Sequence, residues 1–173
     1  MSRQVRIGKI KIGGDKSVAI QSMANIKTSK IVDVIRQIED LTILGCDIIR
    51  VSVKDDDDVS ALKEIKKHIT IPLVADIHFN YKYALGAIDN GVDKIMINPG
   101  NIGSEKNVEE VAKALKATGI AVRVGSNSGS VEKELLAKYG KNEVSLAESA
   151  LKNVAVLERY GVENIVISAK ASN

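Results

Sequence analysis

Apolar stretches rich in isoleucine and valine recur along the whole chain, and amphipathic stretches separate them. Six of the apolar stretches are predicted strands: 18–20, 48–53, 72–77, 94–98, 120–124 and 164–168. They are apolar on both faces, which is typical of parallel strands buried between two layers. Their alternation with helices predicts an α/β fold built on a parallel sheet.

The stretches between the strands carry apolar residues at helical spacing. Three such patterns run over 31–41, 59–69 and 108–115, and two more, broken near Gly140, lie within 131–160. Either Thr28 or Ser29 is the expected N-cap of the first helix. The acidic run 55–58 is expected to form a loop and cap before the second, because carboxylates stabilise a helix N-terminus.

A short motif occurs three times, with Gly45, Gly91 and Gly161 each followed by an apolar residue, an acidic residue and a strand. A repeated βα unit favours a parallel (β/α) TIM-type barrel or a doubly wound sheet. Residues 5–12 are predicted to form a hairpin before the first unit. A complete barrel needs about 250 residues. We therefore expect residues 1–173 to form one barrel domain truncated after six strands, or an open sheet.

Composition excludes several classes of protein. The 173 residues carry a net charge of +3, and only 3% are aromatic, which argues against nucleic-acid binding. Neither a membrane-length apolar run nor a signal-peptide core is found, so a cytoplasmic protein without membrane contact is expected. Cys46 is the single cysteine, so no internal disulfide and no metal cluster is expected in this chain.

Charged side chains lie toward the carboxyl ends of several of the predicted strands, where βα folds place their active sites. Arg50, Arg123 and Lys170 provide three cations against the one carboxylate of Asp76. This surplus suits a polyanion such as a diphosphate. A structural ion network that plugs a barrel explains the same residues equally well.

Other polar residues occupy the same strand ends. His78 is interpreted as an acid–base group, a hydrogen-bonding site residue or a satisfied core residue. The loops 98–103 and 125–130 are small and rich in amides, so they suit either backbone contacts to a ligand or plain turns. His68 is expected to be solvated, and Cys46 is expected in the core, away from the site.

Six segments taken together resemble one family. They are Gln21-Ser22-Met23, 45–53, Ala75-Asp76-Ile77-His78-Phe79, 97–103, 127–130 and 168–172. In this order they are similar to the amino-terminal part of the hydroxymethylbutenyl diphosphate synthase family, also called GcpE. These are iron–sulfur enzymes of the non-mevalonate isoprenoid pathway, and the resemblance covers essentially the whole chain.

The resemblance implies a TIM barrel that binds 2-C-methyl-D-erythritol 2,4-cyclodiphosphate. The family reduces this substrate to 4-hydroxy-3-methylbut-2-enyl diphosphate with electrons from flavodoxin or ferredoxin. It implies a separate carboxyl-terminal domain whose 4Fe-4S cluster is held by three cysteines and a glutamate. That domain and the last barrel strands are expected to be absent here, which predicts an inactive fragment that binds no cluster. A homodimer is expected.

The resemblance also assigns roles to residues. Arg50, Arg123 and Lys170 match diphosphate-binding positions, with Asn127 nearby, and Asp76 matches a catalytic carboxylate. Further residues expected to line the site are Asn25, His78, Met96, Asn98, Asn101 and Ser168.

The chain also departs from the family pattern. Met96 stands where the family usually has an arginine, and Asn25 is flanked by Ala24 and Ile26 instead of threonines. Lys30 replaces a common aspartate, and Ser126 a valine. Two alternatives therefore stay open: a degenerate, non-catalytic diphosphate-binding relative, and a pterin-binding type of βα-barrel synthase.

Overall fold

The structure, a computed structural model, describes residues 3–14, 18–98, 101–127, 129 and 131–170. Its strands are β1 (Val5–Ile7), β2 (Ile10–Ile12), β3 (Gln21–Met23), β4 (Ile48–Val53), β5 (Leu73–Ile77), β6 (Lys94–Ile97), β7 (Ala121–Asn127) and β8 (Ile165–Lys170). Its helices are α1 (Ile31–Ile43), α2 (Asp56–His68), α3 (Tyr81–Asp89), α4 (Glu105–Thr118), α5 (Lys133–Tyr139) and α6 (Glu143–Arg159).

Strands β3 to β8 form one parallel sheet in chain order, with β3 and β8 at its edges. The sheet curls into a half-barrel with helices on its outside, so the α/β TIM-type prediction is confirmed. The antiparallel pairing of β1 with β2 confirms the predicted amino-terminal hairpin. Gly45 and Gly161 adopt the left-handed φ values of 92° and 79° that let the chain leave α1 and α6 sharply.

The first strand of the sheet lies later than the sequence predicts. Residues 18–20 precede the ladder, which starts where Gln21 pairs with Ile48. Val18 is 92% exposed and Ile20 is 61% exposed, so their apolar character does not reflect burial. Residues 125–127 were expected in a loop, but they extend β7.

The predicted cap of α1 is wrong. This helix starts after Lys30 without a side-chain cap. The Thr28 hydroxyl instead donates to the carbonyl oxygen of Ser52 at 2.6 Å, and the Ser29 amide donates to the Asp58 carboxylate at 2.9 Å. Thr28 therefore ties the loop before α1 to β4, and Ser29 ties it to the first turn of α2, a tertiary role that competes with capping.

The acidic run caps α2 as predicted, but most of it is helical. The Asp55 side chain accepts a hydrogen bond from the Asp58 amide at 2.9 Å, and residues 56–58 form the first turn. Asp58 is buried and also accepts from the amide of Lys54 at 3.1 Å. Its carboxylate thus joins two loops at the carboxyl ends of the strands.

Helix α3 was not predicted. The side chain of Asn80 caps it by accepting from the Lys82 amide at 3.0 Å. Its buried residues are spaced as on one helix face, but apolar residues that are only partly buried lie between them and obscure the helical period in the sequence. It packs tightly on α2, because a Cβ at Gly86 would lie 2.6 Å from Cγ1 of Val59.

Two apolar clusters lie on opposite faces of the sheet. The larger one fills the space between the strands and the helices, and it contains Cys46, as predicted. The smaller one lies on the concave face, where Val5 and Ile7 of the hairpin pack against residues near the start of their strands: Ile48, Val74 and Ala121. The hairpin therefore covers the amino end of the half-barrel and leaves the carboxyl end open. Within the described ranges, no helix has the length and apolarity needed to cross a membrane.

Candidate functional site

A cavity of 390 Å³ opens at the carboxyl ends of the strands, on the concave face of the sheet. This volume lies within the range of small-molecule sites. Of the predicted site residues, all but Asn25 line it: Arg50, Asp76, His78, Met96, Asn98, Asn101, Arg123, Asn127, Ser168 and Lys170. The charged side chains therefore surround an open space and do not plug the barrel.

Asn25 does not contribute to the cavity lining. Its side-chain oxygen accepts a hydrogen bond from the Gln37 amide at 2.6 Å, and its backbone amide donates to the Gln37 side chain at 3.1 Å. This pair fixes Asn25 against α1, which explains why the expectation that it lines the cavity is not met.

The Arg50 guanidinium has unusually weak partners. Its Nη1 donates to the Met96 sulfur at 3.3 Å and its Nη2 to the Met23 sulfur at 3.0 Å. Thioether sulfurs are weak acceptors. Its Nε is buried without a hydrogen-bond partner and lies 3.8 Å from an Asp76 carboxylate oxygen. The positive charge of Arg50 is thus poorly compensated, which suits an incoming anion.

Asp76 lies between two side chains without touching either closely. Its buried carboxylate is 3.8 Å from Arg50 Nε on one side and 3.8 Å from His78 Nε2 on the other. The His78 side chain is 51% exposed, so its interpretation as a core residue is wrong. His68 is about half exposed, as expected.

Arg123 and Lys170 supply positive charge from the last two strands. Arg123 donates to the Ser168 hydroxyl. Burial and the neighbouring Arg50 lower the pKa of Arg123, and Asp76 partly opposes this effect. Lys170 is more exposed and pairs in register with Asn127, which places both at the rim.

Sequence reasoning missed a further cation below the cavity, Lys94. It is only 3% exposed, and its ammonium donates to the Gln21 side chain at 2.8 Å. Burial, followed by repulsion from Arg123 and Arg50, lowers its pKa to about 8. The sequence does indicate this position, because Lys94 precedes Met96 by two residues and therefore lies on the same face of the strand as Met96.

The two loops after β6 and β7 are described only in part. Residues 99, 100, 128 and 130, which belong to these loops and to the backbone contacts predicted for them, lie outside the described residues. The amide of Gly129 donates to the Asn127 side chain at 3.0 Å, and the amide of Asn101 to the Asn98 carbonyl at 2.8 Å.

The residues of this chain do not fit an iron–sulfur cluster. Such a cluster needs several thiolates. Cys46 lies in the outer core, where its thiol donates to the Ile48 carbonyl at 3.1 Å. Among the residues that the structure describes, no group of three histidines, cysteines or acids is placed to hold a metal.

Comparison with known families identifies the fold. A family model described as the GcpE TIM-barrel domain matches residues 2–173. The chain belongs to the GcpE family. A relative named 4-hydroxy-3-methylbut-2-en-1-yl diphosphate synthase (flavodoxin), from Caldanaerobacter subterraneus subsp. tengcongensis, is 52% identical over 100% of this chain and 49% of its own length. A relative of the same name from Clostridium perfringens is 53% identical over 99% of this chain and 50% of its own length. This GcpE chain spans about half the length of the curated relatives it matches.

Solved structures with a similar fold are distant in sequence. Dihydropteroate synthase from Xanthomonas albilineans in complex with 7,8-dihydropteroate has a TM-score of 0.69 and 12% identity, covering 96% of this chain and 64% of its own. The Yersinia pestis dihydropteroate synthase has a TM-score of 0.68 and 10% identity, covering 95% and 61%. At such identities the likeness of this GcpE barrel to them concerns the fold alone.

Proposed function

We propose that this chain is the substrate-binding barrel of a 4-hydroxy-3-methylbut-2-enyl diphosphate synthase. The open cavity binds the diphosphate of 2-C-methyl-D-erythritol 2,4-cyclodiphosphate. The observation that carries this proposal is the surplus of positive charge, because Arg50, Arg123 and Lys170 line the cavity with Asp76 as their carboxylate neighbour. Family membership supports the choice of this diphosphate over others.

Each lining residue has a role that follows from its chemistry. Arg50 and Arg123 donate charge-assisted hydrogen bonds to phosphate oxygens, and Lys170 and Asn127 contact them from the rim. Asp76 accepts a hydrogen bond from a substrate hydroxyl and holds Arg50 in place from 3.8 Å.

The reaction also needs electrons. In the complete enzyme a 4Fe-4S cluster supplies them, fed by flavodoxin or ferredoxin, and its ligands come from outside this chain. The part played by these residues is to bind and orient the cyclodiphosphate at the mouth of the barrel. We therefore expect the chain alone to bind the substrate without converting it.

Calorimetric titration of the purified chain with cyclodiphosphate tests the proposal. Arg123→Ala should weaken binding by roughly 1.5–3 kcal/mol, the range for a hydrogen bond to a charged group. Arg159→Ala is the matched control, because Arg159 is exposed and pairs with Glu105 outside the cavity. Its dissociation constant should equal that of the unmodified chain.

Three results would contradict the proposal. The first is an unchanged dissociation constant in Arg123→Ala, and the second is no binding by a folded chain. The third is tighter binding of a pterin diphosphate than of cyclodiphosphate, which would favour a pterin-binding synthase instead.

A further inference from the structure

Lys94 makes a contact that spans the concave face of the sheet. It begins β6, whereas its partner Gln21 begins β3, and two strands, β4 and β5, separate them in the sheet. The 2.8 Å hydrogen bond between their side chains therefore crosses the curl and links the edge strand β3 to the interior of the sheet.

The surroundings of Lys94 contain more positive than negative charge. On the concave face, Arg50 of β4 and Arg123 of β7 act on it as cations, and Asp76 of β5 is the carboxylate that lines the cavity above. The hairpin packs into the base of this face with apolar side chains. Gln21, its partner on β3, is neutral, so the ammonium has a hydrogen-bond acceptor, and among the described residues no carboxylate pairs with it.

We propose that Lys94 is a positioning residue of the diphosphate site proposed above, on which this role rests. Its ammonium holds β3 in the curl through Gln21 and adds positive charge beneath Arg50 and Arg123. The charge attracts a bound diphosphate without direct contact, because Lys94 lies below the cavity lining.

This arrangement couples anion binding to proton uptake. In the free chain the pKa of Lys94 is lowered to about 8, so the side chain becomes neutral in alkaline solution. A diphosphate above it favours the charged form and raises this pKa. Above pH 8, binding therefore requires Lys94 to take up a proton, and the affinity should fall by up to about tenfold per pH unit.

The ligand does not contribute to this pH dependence. Each phosphorus of cyclodiphosphate carries a single, strongly acidic oxygen, so its charge is constant above pH 7. Calorimetric dissociation constants at pH 7, 8 and 9 should therefore report on the protein. Lys94→Met should bind cyclodiphosphate more weakly than the unmodified chain at pH 7. It should also lack the part of the alkaline decline in affinity that proton uptake by Lys94 causes. Gln21→Leu, the matched variant, removes the hydrogen bond but keeps the ammonium, so it should retain that decline.

A second measurement follows the titration in the unmodified chain and needs Lys94→Met only to assign one signal. Carbon-13 NMR of the lysine side chains should show one signal in the unmodified chain that titrates near pH 8, and saturating cyclodiphosphate should move this titration upward. Lys94→Met assigns the signal by its loss.

The outcomes separate this role from the proposed function. If the unmodified chain binds cyclodiphosphate but Lys94→Met keeps the same alkaline decline, or if the ligand leaves the titration near pH 8 unmoved, the role of Lys94 is refuted and the diphosphate site stands. If the folded, unmodified chain binds no cyclodiphosphate, both are refuted.

Discussion

Replacing Lys94 with methionine should stabilise the fold at neutral pH. The pKa of Lys94 falls from 10.5 to about 8, and each pKa unit corresponds to about 1.4 kcal/mol, so burying this charge costs the fold about 3 kcal/mol. Methionine is similar in length and carries no charge, and losing the hydrogen bond to Gln21 costs about 1 kcal/mol. Lys94→Met should therefore raise the free energy of unfolding by about 2 kcal/mol at pH 7.

The stability that Lys94→Met gains at pH 7 should disappear as the pH rises. Because the pKa of Lys94 is lower in the folded state than in the unfolded state, the unfolded chain binds more protons between pH 8 and pH 10.5. The stability of the unmodified chain consequently rises across this window, and Lys94→Met lacks this contribution. By pH 9.5 the advantage of the variant should have fallen by about 2 kcal/mol, to near zero.

Urea unfolding followed by circular dichroism at pH 7, 8, 9 and 9.5 measures both effects. Lys152→Met is the control, because Lys152 is exposed on α6. This substitution should change the free energy of unfolding by no more than about 0.5 kcal/mol at every pH. A Lys94→Met variant that is less stable than the unmodified chain at pH 7, or whose advantage is independent of pH, would refute the reasoning.

Three further predictions follow from the cavity, the cysteine and the sheet edge. Met96→Arg adds a cation beside Arg50 and should tighten cyclodiphosphate binding in calorimetry. Weaker binding by a variant whose circular dichroism shows an intact fold would contradict the proposed geometry of the site. Anaerobic reconstitution should leave no iron on the chain by metal analysis, because the buried Cys46 is its single thiol, and stoichiometric iron would contradict this. Strand β8 is an exposed edge of the sheet, with Ile167 50% exposed, and it should pair with a second copy of the chain. Light scattering should therefore show association that rises with concentration and that Ile167→Lys suppresses. A monomer at every concentration would contradict this prediction.

The fold could be predicted wherever local signals decide it. Continuous apolar runs indicated five of the strands of the sheet closely, and the glycine motif before three of these strands supported the assignment, because these signals reflect burial and backbone geometry. The α1 cap failed because Thr28 bonds instead to Ser52, a contact between distant segments. Helix α3 was not predicted because partly buried apolar residues lie between Ala84, Ala87 and Ile88 and obscure their helical spacing.

The candidate site, too, could be predicted where local signals decide it and not where contacts between distant strands decide it. The rule that βα folds place their active sites at the carboxyl ends of the strands was enough to group Arg50, Asp76 and Arg123, which do line one cavity. Lys94 was not predicted because active sites are expected at the carboxyl ends of strands, whereas Lys94 is the first residue of its strand. Its partner Gln21 could not be found from sequence, since only the curl of the sheet brings β3 opposite β6.

The partners of Arg50 explain how the cavity keeps its charge available. A carboxylate within hydrogen-bond distance would satisfy the guanidinium and cancel its charge, whereas Asp76 stays 3.8 Å from Nε. The sulfurs of Met23 and Met96 hold the side chain in place with weak hydrogen bonds. An incoming phosphate oxygen is a far stronger acceptor and can replace them at little loss. In the proposed site, the same residues that leave Arg50 poorly satisfied in the free chain would therefore favour binding of a phosphate.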